Sequence, residues 1–83
     1  MERREYEDVF IPAFFRATKK PFGIIPTKRT NNNVVFIVEG NAAEIDDAVS
    51  ELFQNVLVPA LDLIREIKTL RSSIFALRGG VRL

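Results

Sequence analysis

"NNNVVFIVEGNAAEIDDAV", Asn31 to Val49, holds a turn, a strand and the start of a helix. Asparagine tolerates left-handed backbone geometry, so Thr30 to Asn33 read as a turn. Val34 to Val38 are rich in β-branched residues and read as a strand. Gly40 then turns the chain, Asn41 offers an N-cap, and Glu44 stands three residues on, the capping-box spacing. Asp46 and Asp47 add negative charge near the positive end of that helix. The strand is apolar on both sides: Val34, Phe36 and Val38 point one way, Val35 and Ile37 the other. One side can take a helix. The other needs a cover, and a chain of 83 residues has little left to supply it.

Upstream, "IIPTKR" (residues 24–29) completes an antiparallel hairpin with this strand, and Pro26, lacking an N–H, places it at a sheet edge. A hairpin alone is marginal in water and needs helices against it. Residues 8–20 carry Val9, Phe10, Ala13, Phe14 and Ala17 at helical spacing. Asp8 can cap that helix, Pro12 requires it to start near Phe10 or Ile11, and Pro21 and Gly23 end it. Downstream, a stripe runs Ile45, Val49, Leu52, Val56, Ala60, Leu63, Ile67, Leu70, Ile74, Leu77. Pro59 interrupts it and predicts a kink. The expected architecture is α+β over residues 1–83 as a single domain. It comprises an N-terminal helix, an antiparallel β-hairpin, and a long kinked C-terminal helix, or two abutting helices, from Ala42 to Leu77.

Phe53, Leu57, Leu61 and Ile64 form a second stripe beside the first, so the helix is apolar over more of its girth than one core face needs. Surplus apolar surface of this kind marks interfaces. The expectation is a homo- or hetero-oligomer joined through the sheet and the long helix. Its contact residues would be Val35, Ile37, Phe53, Val56, Leu57, Ala60, Leu61 and Ile64.

Hydrophobic residues make up 47% of the chain, with seven Phe, so a packed fold is expected although 28% of residues are charged. There is no Cys, hence no disulfide, thiol nucleophile or thiolate zinc site, and no His, the commonest general base and metal ligand. No enzyme activity, cofactor or metal is expected. Glu44, Asp46, Asp47 and Glu51 are explained by the helix start. The longest uncharged run, Leu52 to Leu61, is about half of what a membrane span needs. "MERREYED" lacks the apolar core of a signal peptide. A cytoplasmic protein without membrane contact is the expectation.

Net charge is +1, but residues 1–29 carry seven basic and four acidic groups, and residues 30–64 carry six acidic and none basic. Such asymmetry can orient a partner. Lys19, Lys20, Lys28 and Arg29 end a helix and the adjoining strand and can converge on phosphate; Arg71, Arg78 and Arg82 form a second basic set. Neither set is interleaved with aromatics for base stacking, so RNA contact is the lesser reading.

The order helix, hairpin, long helix resembles the small dimerising subunit of the KEOPS complex, which makes threonylcarbamoyladenosine on transfer RNA. The resemblance runs from Asn32 to Ile67, with Ala60-Leu61-Asp62-Leu63-Ile64 similar to the family's helix end and Glu7-Asp8-Val9 similar to the start of its first helix. The chain departs from the family by lacking an opening strand, by Gln54 or Asn55 where an Arg is usual, and by Pro59. The resemblance implies a non-catalytic scaffold that dimerises and docks a catalytic subunit, here as a divergent copy in a heterodimer. A second resemblance, over Lys20 to Phe53, is to the ribosomal protein beside the large-subunit exit tunnel, through Glu44-Ile45, Ala48-Val49 and Leu52-Phe53. That family continues into another strand and a basic loop. A virus-encoded structural or inhibitory protein fits the size equally.

Overall fold

The computed structural model describes residues 1–54 and 57–79. Strand β1 (Glu2–Tyr6) opens the chain, followed by α1 (Phe10–Ala17), β2 (Gly23–Lys28), β3 (Val34–Gly40), α2 (Ala42–Phe53) and α3 (Ala60–Leu77). The fold is α+β, as expected. The strands form one antiparallel sheet in the order β1-β3-β2.

The opening strand corrects the sequence reading. "ERREY" has no apolar alternation, yet it pairs with β3 from Glu2↔Gly40 to Tyr6↔Phe36. The chain therefore does not lack an opening strand. Pro26 does lie on an edge strand, opposite Phe36 of β3.

Local chemistry sets the boundaries of α1. Asp8 Oδ1 accepts from the N–H of Ile11 at 2.9 Å, and Pro12 falls in the first turn, where its missing N–H leaves no bond unmade. The helix ends before Pro21: Lys19 is left-handed (φ 59°), Lys19 N–H donates to Arg16 O and Lys20 N–H to Phe15 O. This is a Schellman stop with lysine in the position that glycine usually takes. Asn32 is the left-handed residue of the hairpin turn, at φ 68°. Asn41 caps α2, its side chain accepting from Glu44 N–H at 3.1 Å.

Residues 42–77 are two helices rather than one kinked helix. Pro59 is the N-cap of α3, and its carbonyl accepts from Leu63 N–H at 3.0 Å. A proline at that position starts a helix without losing a backbone bond. Most of the first apolar stripe faces inward: Ile45 joins Phe14, Phe15 and Val38, with Val49 and Leu52 packed against them, while Leu63, Ile67, Leu70 and Ile74 gather round Val9, Ala13 and Phe36; Ala60 and Leu77 are exposed.

All three helices cover the sheet face that carries Val34, Phe36 and Val38. Among the described residues no helix covers the opposite face. Val35 is nevertheless only 2% exposed. Glu5 pairs with Ile37 on the β1 side of β3, and Arg29 continues β2 past Lys28, which pairs with Val34. The Arg29–Glu5 ion pair therefore crosses the central strand at Val35. Beside it, Arg3 and Glu39, directly opposite each other, pair at 2.7 Å. Long charged side chains can bury apolar surface under their stems while their heads stay in water. Part of the cover for the second face is thus supplied by β1 and the end of β2.

Arg29→Ala is expected to uncover Val35 at little cost to stability. Exposed ion pairs contribute about 0–1 kcal/mol, so a thermal melt should move down by no more than roughly 4–8 °C. A substantially larger drop would mean that the pair does more than shield the strand.

Candidate interaction surface

Apolar exposure concentrates at the corner between α2 and α3. Phe53, the last residue of α2, is 77% exposed; Leu57 is 95%, Leu61 75% and Ile64 48% exposed. Leu61 and Ile64 are three apart on α3 and share its outer face, while Leu63 and Ile67 face the core. Ala60 is exposed beside them. Val58, in the connection, packs inward against the Phe14–Phe15 cluster and ties the corner to the core. The second stripe read from the sequence is thus left uncovered by the described residues at the end of α2, in the connection and on the outer face of α3.

The other expected contact residues divide. Val35 is buried beneath the Arg29–Glu5 pair, and Ile37 is half-buried on the same face. Val56 lies outside the described residues. Ile25, opposite Ile37 in the register and 42% exposed, is the most open apolar residue of that face. An open depression of about 390 Å³ lies there, lined by Arg3, Arg4, Glu5, Thr27, Arg29 and Ile37. Its lining carries three arginines and one glutamate, and each arginine is engaged by a carboxylate, in the pairs Arg3–Glu39, Arg4–Asp46 and Arg29–Glu5.

The basic residues do not converge. Lys19 and Lys20 follow α1 just before Gly23, whereas Lys28 and Arg29 stand at the far end of β2. Five residue steps of strand separate the two ends of β2 by about 17 Å. Lys20 Nζ also binds Glu51 at 2.7 Å, and Arg29 binds Glu5. Among the described residues no group of three or more acidic side chains is arranged to hold a metal ion, and no helix is long and apolar enough to cross a membrane.

A second apolar spot escaped the sequence reading. Phe10 and Phe75 are each more than half exposed, with the Arg71 guanidinium 5.9 Å from the Phe10 ring centroid. Phe75 lies on neither stripe. Its position off both was the available signal.

Charge is paired across elements. Arg16 reaches Glu66 at 2.7 Å and joins α1 to α3; Arg4 reaches Asp46 at 2.6 Å and joins β1 to α2. Hydrogen bonds that the Arg4 guanidinium donates to Asp46 and Glu2 hold it above its ordinary pKa. Arg78 Nε donates to Asn32 O, so the end of α3 rests on the hairpin turn.

No protein-family model, curated protein or solved structure matches the chain.

Proposed function

We propose that this chain is a non-catalytic interaction subunit that docks a partner protein on the α2–α3 corner. The observation that carries the proposal is the exposure of Phe53, Leu57, Leu61 and Ile64 together, with their neighbour Val58 anchored in the core. Large apolar side chains grouped on a surface are the usual material of a binding hot spot. In the reading suggested by the KEOPS resemblance, the partner is a catalytic subunit and the chain is its scaffold in tRNA modification. The RNA-binding alternative has weaker support, because the four candidate basic residues are split between two ends of the fold and two of them are engaged by carboxylates. The ribosomal resemblance also requires a strand after α2, where this chain begins α3.

The double change Leu57→Glu with Leu61→Glu separates binding from folding. Both side chains are exposed, so stability should stay within about 0.5 kcal/mol per site by urea titration. A tagged chain purified from its native source should retain a protein at fixed stoichiometry, and the double variant should lose it. Equal recovery with both forms, at equal stability, would remove the corner as the docking site.

A further inference from the structure

The sheet has two outer edges. β3 is flanked on both sides, and the outer edge of β2 carries Pro26, which discourages a further strand. The outer edge of β1 has no partner among the described residues. Its sequence is Glu2-Arg3-Arg4-Glu5-Tyr6, with Arg3 and Glu5 exposed on the helix-free face.

We propose that β1 pairs antiparallel with β1 of a second copy, in a two-fold arrangement centred on Arg4, to make a continuous six-stranded sheet. The register follows from the residues. A two-fold axis through the sheet keeps each face on its own side, so residues of like parity must stand opposite one another. Full overlap of Glu2–Tyr6 with its copy sets residue 4 opposite residue 4, residue 3 opposite 5, and residue 2 opposite 6. Arg3 of each copy then faces Glu5 of the other. Together with the pairs already present, the open face would carry a row of alternating sign: Glu39, Arg3, then Glu5 and Arg29 of the second copy.

Neighbouring registers lose paired length. A shift by two residues cuts the overlap from five residues to three: in one direction Arg3 stands opposite Arg3 on the open face, flanked by two Glu2–Arg4 pairs, and in the other Glu5 stands opposite Glu5, and like charges directly opposite are unfavourable. In the full-overlap register the one like pair is Arg4 with Arg4, on the helix face, where Asp46 at 2.6 Å and Glu2 at 3.1 Å already neutralise each guanidinium. Charged edges ordinarily resist pairing with other chains. Full overlap is the register that pairs all five residues and leaves no like pair on the open face.

The edge and the α2–α3 corner are separate surfaces, so they can be tested apart. By sedimentation equilibrium at low salt, the wild-type chain should weigh twice its 9.4 kDa. Arg3→Glu alone and Glu5→Arg alone each set like charges opposite and should sediment as monomers. An equimolar mixture of those two variants restores both contacts, Glu opposite Arg twice, and should return to the dimer mass. Circular dichroism on each variant checks that the fold is kept. A monomeric wild type, or variants that stay dimeric singly, would overturn the proposal. So would a dimer abolished by Leu57→Glu and Leu61→Glu but unchanged by the β1 variants. That last outcome would move the self-contact to the corner and leave the corner's role as an interaction surface standing.

Discussion

Phe15→Ala is expected to remove about 3–5 kcal/mol of stability. Phe15 is fully buried at the meeting point of four parts of the chain. Its ring is edge-on to Tyr6 of β1 at 6.2 Å, edge-on to Phe22 of the α1–β2 connection at 5.1 Å, and tilted against Phe14 at 6.2 Å. Val38 of β3 and Ile45 and Ala48 of α2 belong to the same cluster. Deleting the ring loses its transfer energy and leaves a cavity, and walls fixed by sheet and helices can close it only in part. Domains hold a net stability of about 5–15 kcal/mol, and a small one sits low in that range. The variant should therefore be largely unfolded at 37 °C, with its near-ultraviolet circular dichroism lost. A urea midpoint close to wild type would contradict the core as described.

Gly40→Ala is expected to cost about 1–3 kcal/mol through overpacking. A Cβ at this last residue of β3 would lie 2.6 Å from Phe22 Cδ1 and 3.2 Å from its Cε1. The backbone at Gly40 is not left-handed, so the cost is one of contact and not of conformation. The half-buried Phe22 ring has to turn, and turning takes it off the edge of Phe15. The two changes are therefore coupled. In a double-mutant cycle, Phe15→Ala with Gly40→Ala should cost less than the two single effects combined, because the vacated Phe15 site gives Phe22 room to move. Strict additivity in urea titrations would mean that Phe22 does not transmit the strain.

The parts of the fold legible in the sequence were those fixed by local chemistry. The Asn41 cap, the left-handed Asn32 turn, the Asp8 start and the edge placement of Pro26 each follow from one residue and its neighbours. β1 was not legible, because "ERREY" becomes a strand through pairing with β3 and not through its own pattern. The same gap hid the cover over Val35, since the Arg29–Glu5 pair exists only when β1 lies alongside β3. Periodicity could not distinguish one kinked helix from two, because apolar residues keep helical spacing along the sequence on either side of Pro59 whether the chain bends there or starts a new helix.

The surplus apolar surface read from the sequence divides in the structure. On the sheet much of it is shielded by the chain's own ion pairs, and on the second helical stripe it remains in the open. The basic residues were misplaced for a topological reason. α1 runs from the hairpin end of the sheet to the opposite end, so elements consecutive in sequence deliver Lys20 and Lys28 to opposite ends of β2.

Docking at the α2–α3 corner is tested most directly by photo-crosslinking in the native source. A photoreactive phenylalanine analogue is placed at Leu57, on the corner, or at Ile25, on the open sheet face. A discrete adduct should form from position 57, should be lost when Leu61→Glu is added, and should not form from position 25. An adduct from position 25 with none from position 57 would contradict docking at the corner.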